Sequence, residues 1–312
     1  MNQISQDQIG QARILVVGDM MLDRYWFGDV ERIRRSAGTG RPDQAQRRAP
    51  GRRRNVARNS AALGAQVGML GVVGDDEPGR TIESLLSACK VQPFLHRDAS
   101  VNTTIKLRVL AHQQQLLRVD FENPPAHEVL LSVLDGFQEL AKQYEVIVLS
   151  DYGKGGLTHV GRMVEAGRAA GRMVLVDPKG DDYSRYRGAT LITPNRAEIR
   201  RVVGAWKSEQ DLTARAQNLR RDLQLEALLL TRSEEGMTLY TEAEVLHVSA
   251  QAREVYDVSG AGDTVIATLA TMLAAGVPLK QAVQFANRAG AIVVGKLGTA
   301  VVSYQELFGN AG

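Results

Sequence analysis

The sequence predicts an α/β protein with a mostly parallel central sheet that is flanked by helices. Four short apolar runs alternate with helical segments, at residues 146–150, 173–177, 190–193 and 227–231. Runs of this kind are typical of strands that a parallel sheet buries on both faces. Of the 312 residues, 44% are hydrophobic, which is enough for a sizeable buried core.

The other elements follow from the same apolar patterns. Strands are predicted at 13–18, 19–33, 67–73, 103–110 and 115–121, with a hairpin arm at 242–248. Helices are predicted at 55–63, 78–88, 127–142, 261–275 and 279–294. The strands before residue 34 and between 103 and 121 do not alternate with helices, so they do not fit the pattern of the parallel sheet.

Composition excludes several classes of protein. No apolar run approaches the roughly 18–20 residues that a membrane-spanning helix needs, and the polar first ten residues lack the regions of a signal peptide. Cys89 is the only cysteine, so no internal disulfide can form. We therefore expect a cytoplasmic protein with no membrane partner, in which Cys89 is a packing residue.

The positive charge is confined to one segment. Residues 34–54 contain eight arginines and one acid, Asp43, which gives +7 and leaves −4 for the rest of a chain whose net charge is +3. A protein that binds nucleic acid usually carries a basic face rather than one basic block. We expect no nucleic-acid partner, although an arm that grips phosphates is the alternative interpretation of the block.

A glycine-rich turn precedes the first of the two late helices. The segment 257–264 reads DVSGAGDT, and an apolar helical run follows it. Gly260 and Gly262 allow backbone N–H groups to crowd around an anion at a helix start, where the donors are unpaired and the dipole is positive. Asp263 is the only carboxylate between Gly260 and Thr264, so the pattern suits phosphoryl transfer. The alternative is a glycine-rich helix cap without a ligand.

Three motifs in order resemble the ribokinase-like (PfkB) carbohydrate kinases. The turn at 257–264 resembles the second signature of that family, Asn195–Glu198 resembles its NxxE element, and Thr231–Gly236 resembles its nucleotide-side loop. Further segments resemble the branch of the family that phosphorylates D-glycero-β-D-manno-heptose 7-phosphate; they lie at 18–26, 104–109, 114–122, 150–155, 177–180 and 294–299. The resemblance extends from about residue 13 to residue 308.

The resemblance implies a fold and an activity. It implies one ribokinase-like domain over residues 1–312, in which strands at about 20–50 and 103–121 form a small β lid. It implies ATP and Mg²⁺ as cofactors and a sugar phosphate as substrate, phosphorylated at O1 to the 1,7-bisphosphate for ADP-heptose and lipopolysaccharide synthesis. A homodimer is expected because such lids often contribute to dimerisation. The alternatives are a kinase of another sugar or nucleoside, and a non-catalytic binding module with this fold.

The resemblance also assigns roles on the nucleotide side. Asp263 is expected to act as the general base, and the backbone donors of Gly260, Ala261 and Gly262 to hold the charge of the transferred phosphoryl group. The other residues expected near ATP are Asn195, Arg196, Ala197, Glu198, Lys179, Thr231, Ser233, Gly236 and Asn287. Glu198 is expected to reach Mg²⁺ through water. Asn195 and Glu198 also have the spacing of a capping box, which is the structural alternative.

Seven residues are expected on the sugar side. They are Asp19, Asp23, Asn55, Lys106, Arg108, Asp151 and Lys154. Lys106 and Arg108 share one strand face because side chains alternate with period two, and such cations are otherwise only solvated. The five histidines show no ligand spacing, so no structural metal is predicted.

Residues 34–54 depart from the family pattern. The segment contains no Val, Ile, Leu or aromatic residue, so its pattern predicts no lid strand. Permitted codons for it, read one base later, give AGAPVPVVRIKRSEERPGGAA, which is close to the family pattern. We therefore hypothesise two compensating frame shifts, which the DNA sequence across codons 30–56 tests. As written, the arginines at 52–54 add bulk before Asn55 and predict weak sugar binding.

Overall fold

The structure is a computed structural model that describes residues 4–27, the backbone of 46–50, and residues 55–111, 114–123, 125–251, 255–296, 298 and 300–309. The strands within these residues are β1 (Arg13–Gly18), β2 (Met21–Phe27), β3 (Gln46–Pro50), β4 (Gln66–Gly74), β5 (Val91–Asp98), β6 (Thr104–Ala111), β7 (Gln114–Phe121), β8 (Val146–Ser150), β9 (Met173–Asp177), β10 (Leu191–Ile192), β11 (Ala227–Thr231), β12 (Met237–Thr241) and β13 (Val245–Val248). The α-helices are α1 (Gln6–Gln11), α2 (Asn55–Leu63), α3 (Glu77–Ala88), α4 (His127–Ala141), α5 (Val160–Ala169), α6 (Arg196–Val203), α7 (Glu209–Asp222), α8 (Ala261–Ala274), α9 (Leu279–Val294) and α10 (Tyr304–Phe308).

The central sheet confirms the predicted class. Its strand order is β13-β12-β11-β10-β9-β8-β1-β4-β5, and its strands pair in parallel from β11 to β5. The two remaining pairs of this sheet, β11 with β12 and β12 with β13, are antiparallel and lie at one edge. The register aligns Gly18 with Ser150 and Ser150 with Asp177, so β1, β8 and β9 end side by side. Loops that leave this edge are where open α/β sheets bind ligands.

Alternating side chains of β1 enter two different cores. Ile14 and Val16 join the cluster that includes Ile266 on α8, whereas Leu15 joins the cluster that includes Phe137 on α4. Because successive residues of a strand point to opposite faces, a strand buried on both sides must be apolar throughout. This is why the first strand has no polar side chain between Ile14 and Val17.

A second sheet has four strands in the order β3-β2-β6-β7. The strands β2 and β6 pair in parallel, and the two outer pairs are antiparallel, as predicted for 103–121. The expectation that residues 34–54 supply no strand is wrong for Gln46–Pro50, which pairs with β2. An edge strand is held by main-chain hydrogen bonds and tolerates polar residues and proline, so apolar patterning is not required there.

Helix α8 begins at the half-exposed glycine-rich turn and becomes buried at Asp263. Ten consecutive residues of it, Asp263–Met272, are buried, which explains its apolar sequence. Its N-cap is Gly260, whose φ of 83° lies in the left-handed region that glycine adopts without strain. Among the described residues, no helix is long and apolar enough to cross a membrane.

Candidate active site

Three carboxylates meet where the central strands end. Asp19 follows β1, Asp151 follows β8 and Asp177 is the last residue of β9. The side chains of Asp19 and Asp151 are almost completely buried, with 7% and 3% of their surface exposed. Asp263, in the first turn of α8, is also buried. The fold therefore gathers acids that are far apart in the sequence.

The start of α8 combines backbone donors with a fixed carboxylate. The phenol of Tyr152 donates a hydrogen bond to Asp263 Oδ1 at 2.5 Å. The hydroxyl of Thr264 donates to the Gly260 carbonyl at 3.1 Å, which holds the turn against the helix. A Cβ atom built on Gly262 would meet nothing within 4 Å, so space is open beside the first turn. This geometry is that of an anion cradle with a carboxylate at its side.

Burial and neighbouring carboxylates raise the proton affinity of Asp177. Burial raises the pKa of Asp177 well above its ordinary value, and the charges of Asp263 and Glu198 raise it further, while Lys179 opposes them. Burial without enough positive charge disfavours an ionised acid. The site is therefore short of positive charge, which is the electrostatic condition for binding a cation.

On the nucleotide side, the predicted NxxE element starts α6 with a capping box. The Asn195 side chain accepts from the Glu198 N–H at 2.9 Å, and Glu198 Oε2 accepts from the Asn195 N–H at 3.0 Å. Glu198 Oε1 accepts from Lys179 Nζ at 2.9 Å. The capping box, which was the structural alternative for this motif, is thus present, and Lys179 lies beside it.

The loop after β11 lies next to the same element. The Thr231 N–H donates to the Pro194 carbonyl at 3.0 Å, so this strand end adjoins the NxxE element. Ser233 has a φ of 54°, an uncommon value for a residue with a side chain. Arg196 pairs with Glu235 and so ties α6 to the loop. Ala197 is exposed in the first turn of α6.

Gly236 and Asn287 hold the neighbouring segment in place. Gly236 has a φ of 91°, and a Cβ there would lie 2.6 Å from the Ala250 nitrogen. Asn287 is buried on α9 and donates from Nδ2 to the Ser249 carbonyl at 2.8 Å. Both residues therefore lie against the chain at 248–250, which includes the last residue of β13 and the two that follow it.

A cleft between the two sheets contains some of the predicted sugar residues. It is lined by Asp19, Lys154, Gly156, Thr103, Asn123 and neighbouring residues. The Gly156 N–H donates to Asp19 Oδ1 at 2.7 Å, and any side chain at Gly156 would overlap that carboxylate. Lys154 Nζ donates to Glu122 Oε1 at 2.6 Å, so the loop after β8 is linked to the end of β7.

Other predicted sugar residues are engaged elsewhere. Arg108 forms an ion pair with the buried Asp23 on the adjacent strand, and Lys106 lies 4.0 Å from Asp120. Neither Asp23, Lys106 nor Arg108 lines the cleft. Asn55 begins α2, but its side chain and residues 51–54 lie outside the described residues.

Asp151 anchors its own loop. Its Oδ1 accepts from the Gly153 N–H at 2.8 Å, and its Oδ2 accepts from the Tyr186 phenol at 2.8 Å. Sequence reasoning did not single out Tyr152, although it lies in a segment that resembles the family branch. Its contact with Asp263 joins positions 111 residues apart, so no local pattern could reveal it.

No group of three or more His, Cys, Asp or Glu side chains within the described residues is arranged to hold a metal ion. Glu198 and Asp177 are close enough to interact electrostatically, but they do not form a complete protein cage. Mg²⁺ typically binds one or two carboxylates together with water and substrate phosphates, rather than a dedicated cage of side chains.

Comparison with known proteins decides the family. A family model described as pfkB family carbohydrate kinase matches residues 11–306. The chain belongs to the pfkB family of carbohydrate kinases. It is therefore a sugar kinase, and its family implies ATP as substrate and usually Mg²⁺.

Two relatives of this pfkB-family kinase share more than half of its aligned residues. It is 55% identical over 312 residues, the full length of both chains, to the D-beta-D-heptose 7-phosphate kinase of Bordetella bronchiseptica. It is 51% identical over 309 residues to the bifunctional protein HldE of Aeromonas hydrophila. That match covers 98% of this chain and 65% of the Aeromonas protein.

Two solved structures share the fold of this chain. Ribokinase of Arabidopsis thaliana, complexed with ribose and ATP, has a TM-score of 0.76 at 18% identity and covers 96% of this chain and 100% of its own. Phosphofructokinase-2 of Escherichia coli, in complex with potassium, has a TM-score of 0.81 at 19% identity and covers 95% of this chain and 97% of its own. The predicted ribokinase-like fold is confirmed.

Proposed function

We propose that this kinase transfers the γ-phosphoryl group of ATP to O1 of D-glycero-β-D-manno-heptose 7-phosphate, for ADP-heptose and lipopolysaccharide synthesis. The observation that carries the proposal is the buried Asp263 at the glycine turn of α8, joined by the loop 151–156 to a cleft that contains Asp19 and Lys154. The full-length relative from Bordetella supports the heptose phosphate as substrate.

Asp263 is proposed as the general base. It accepts the proton of the sugar hydroxyl while that oxygen forms a bond to the γ-phosphorus, and the bond to the β-phosphate oxygen breaks so that ADP leaves. The amides of Gly260, Ala261 and Gly262 are proposed to hold the equatorial oxygens, because unpaired donors at a helix start face that charge. A positioned base of this kind contributes about 10²–10⁴ in rate.

The nucleotide is proposed to bind along the NxxE element and the loop after β11. Lys179 lies beside Glu198 and is partly exposed, so its ammonium can reach a phosphate. Ser233 and Gly236 shape the turn next to it, and Asn287 supports the segment that would border the adenine. Thr231, Arg196 and Ala197 complete this side at the ends of β11 and α6.

The acidic character of the site fits Mg²⁺. The raised pKa of Asp177, caused by burial and by the charges of Asp263 and Glu198, marks a surplus of negative charge that a divalent cation relieves. Because both oxygens of Glu198 already accept hydrogen bonds, contact through water is the arrangement we propose. When bound, Mg²⁺ supplies charge neutralisation of the phosphates.

The cleft between the sheets is proposed to hold the sugar. Asp19 is suited to accept sugar hydroxyls, and Lys154 to attract the 7-phosphate. The four-stranded sheet is proposed to be the lid of a single kinase domain. Asp23, Lys106 and Arg108 would then act mainly by holding its strands together, since they pair within that sheet.

A homodimer through the lid is proposed from its exposed apolar side chains. Leu117 and Phe121 on β7 are 54% and 53% exposed, and Trp26 on β2 is also exposed. Apolar groups on a four-stranded sheet favour association with a second copy. Analytical ultracentrifugation tests whether the protein is a dimer. The cytoplasmic location stays a prediction.

The experiment is transfer from ATP to heptose 7-phosphate, followed by ³¹P NMR of the anomeric phosphate. Asp263→Asn is expected to lower kcat by about 10²–10⁴ while it retains nucleotide affinity. Heptose without the 7-phosphate, ribose and fructose 6-phosphate are the comparison substrates. Equal turnover of one of these, or full activity of Asp263→Asn, would contradict the proposal.

A further inference from the structure

Tyr152 occupies the junction between the two halves of the candidate site. It lies in the loop that follows β8, two residues before Lys154, which lines the sugar cleft. Its side chain is partly buried, and its phenol donates to Asp263 Oδ1 at 2.5 Å. This hydrogen bond thus connects the loop on the sugar side with the proposed base.

The loop that carries Tyr152 is held at both ends. Before it, Asp151 accepts from the Gly153 N–H at 2.8 Å and from the Tyr186 phenol at 2.8 Å. After it, the Gly156 N–H donates to Asp19 Oδ1 at 2.7 Å. A side chain on a loop fixed in this way has a defined direction, which is what a precise catalytic geometry requires.

We propose that Tyr152 is a positioning residue that orients Asp263 for proton transfer and keeps its carboxylate ionised. Holding one oxygen restricts rotation of the carboxylate about its Cβ–Cγ bond and therefore fixes the direction of the other oxygen. A hydrogen bond donated to the charged form also favours that form. This inference rests on the proposed role of Asp263 as base, and it adds a residue to that machinery.

The surrounding charges explain why a donor is needed. Asp177 on β9 interacts with Asp263. Glu198 on α6 and Asp151 add negative charge around Asp177, and the positive charge of Lys179 offsets it only in part. Burial raises the pKa of the Tyr152 phenol well above its ordinary value, and the charge of Asp263 adds to this. The phenol therefore stays protonated and remains a donor throughout the working pH range.

The test is Tyr152→Phe, which removes one hydroxyl and keeps the ring. We expect kcat to fall about tenfold to a hundredfold, the effect of one hydrogen bond to a charged group, with the KM for each substrate changed by less than about twofold. The acid limb of the kcat–pH profile should move to higher pH, because the carboxylate loses a donor that favours its charged form.

Tyr183→Phe is the matched control. Tyr183 is also buried and interacts electrostatically with Glu198 and Asp177, yet its hydroxyl has no hydrogen-bond partner in the part of the chain that the structure describes. The same atom is removed, so any general effect of losing a buried phenol appears in this variant as well. We expect its kcat and its pH profile to match those of the parent protein.

A double-mutant cycle shows whether Tyr152 acts through Asp263. In the Asp263→Asn background, adding Tyr152→Phe should change kcat by no more than about twofold, because residues that act as a unit are not additive. Additive losses would overturn the inference. So would a KM effect with unchanged kcat, a decrease no larger than that of Tyr183→Phe, or loss of the melting transition and of nucleotide affinity, which would mark a structural role.

Failure of this inference is distinguishable from failure of the proposed function. An unmodified protein that does not phosphorylate heptose 7-phosphate would contradict the substrate assignment, and the cycle is then run with whichever comparison sugar is turned over. An active protein whose Tyr152→Phe variant behaves like the parent would contradict only the role of Tyr152.

Discussion

Gly236 provides a test of how the nucleotide-side loop depends on backbone geometry. Its φ of 91° and ψ of −126° lie in a region that is essentially restricted to glycine. In Gly236→Ala, the new Cβ would lie 2.6 Å from the Ala250 nitrogen and 2.7 Å from the Ser249 carbonyl carbon, with the Val248 oxygen closer still. These are backbone atoms, so a side-chain rotation cannot relieve the overlap.

The expected cost follows from these two effects. The conformation costs about 1–3 kcal/mol, and overpacking against fixed atoms adds about 1–3 kcal/mol. Each kcal/mol lowers the melting temperature of a large domain by about 2 °C, so a decrease of several degrees is expected. The displaced segment contains the carbonyl that Asn287 contacts, and the KM for ATP should therefore rise more than the KM for the sugar.

Alanine substitutions at two other glycines separate the conformational cost from the cost of overpacking. Gly171 has a φ of 70° but open space around a Cβ, so Gly171→Ala should cost only the conformational part, about 1–2 kcal/mol. Gly136 lies within α4 in open space, so Gly136→Ala should stabilise the protein by about 1 kcal/mol. Differential scanning calorimetry and ATP titrations measure all three variants. Equal melting temperatures for Gly236→Ala and Gly171→Ala, with an unchanged KM for ATP, would refute the reasoning.

Two carboxylates should affect stability in opposite directions. The pKa of Asp177 is raised by burial and by neighbouring acids, so stability is lost as the pH rises from its ordinary value of 3.8 through the folded value. Asp177→Asn should therefore raise the melting temperature at pH 7 but not below pH 3.8. For Asp76, burial raises the pKa but hydrogen bonds from Thr103 outweigh it, so the pKa is lowered. Asp76→Ala should cost about 1–2 kcal/mol at pH 7 and less at low pH; unfolding followed across pH checks both.

The strongly apolar elements were predictable, as were the edge strands β7 and β13, but the edge strands β3 and β5 were not. The predicted bounds 55–63 match α2, and those at 13–18, 146–150 and 173–177 match strands that the sheet buries on both faces. Strand β5 was missed because it contains Pro93 and charged residues, which an edge position tolerates. Helix α1 is only six residues long and polar, so its apolar pattern is too short to detect.

For the site, the motifs predicted residue types but not their partners. The glycine turn indicated Asp263 because the chemistry of a helix start depends on local sequence. The pairing of Asp23 with Arg108 depends on strands β2 and β6 lying side by side, which is a property of the tertiary fold. The bond from Tyr152 to Asp263 is of the same kind.

The acids of this site differ in what they cost the fold. Asn195 and Glu198 satisfy each other's backbone donors at the start of α6, so they support folding whether or not a nucleotide ever binds. Asp177, in contrast, is buried among other negative charges, and this environment disfavours its ionised form in the folded protein. A descendant released from catalysis would be expected to lose the costly acid first and to keep the self-supporting pair. The crowded carboxylates therefore lower stability near neutral pH, whereas the motif at residues 195–198 stabilises the start of its own helix.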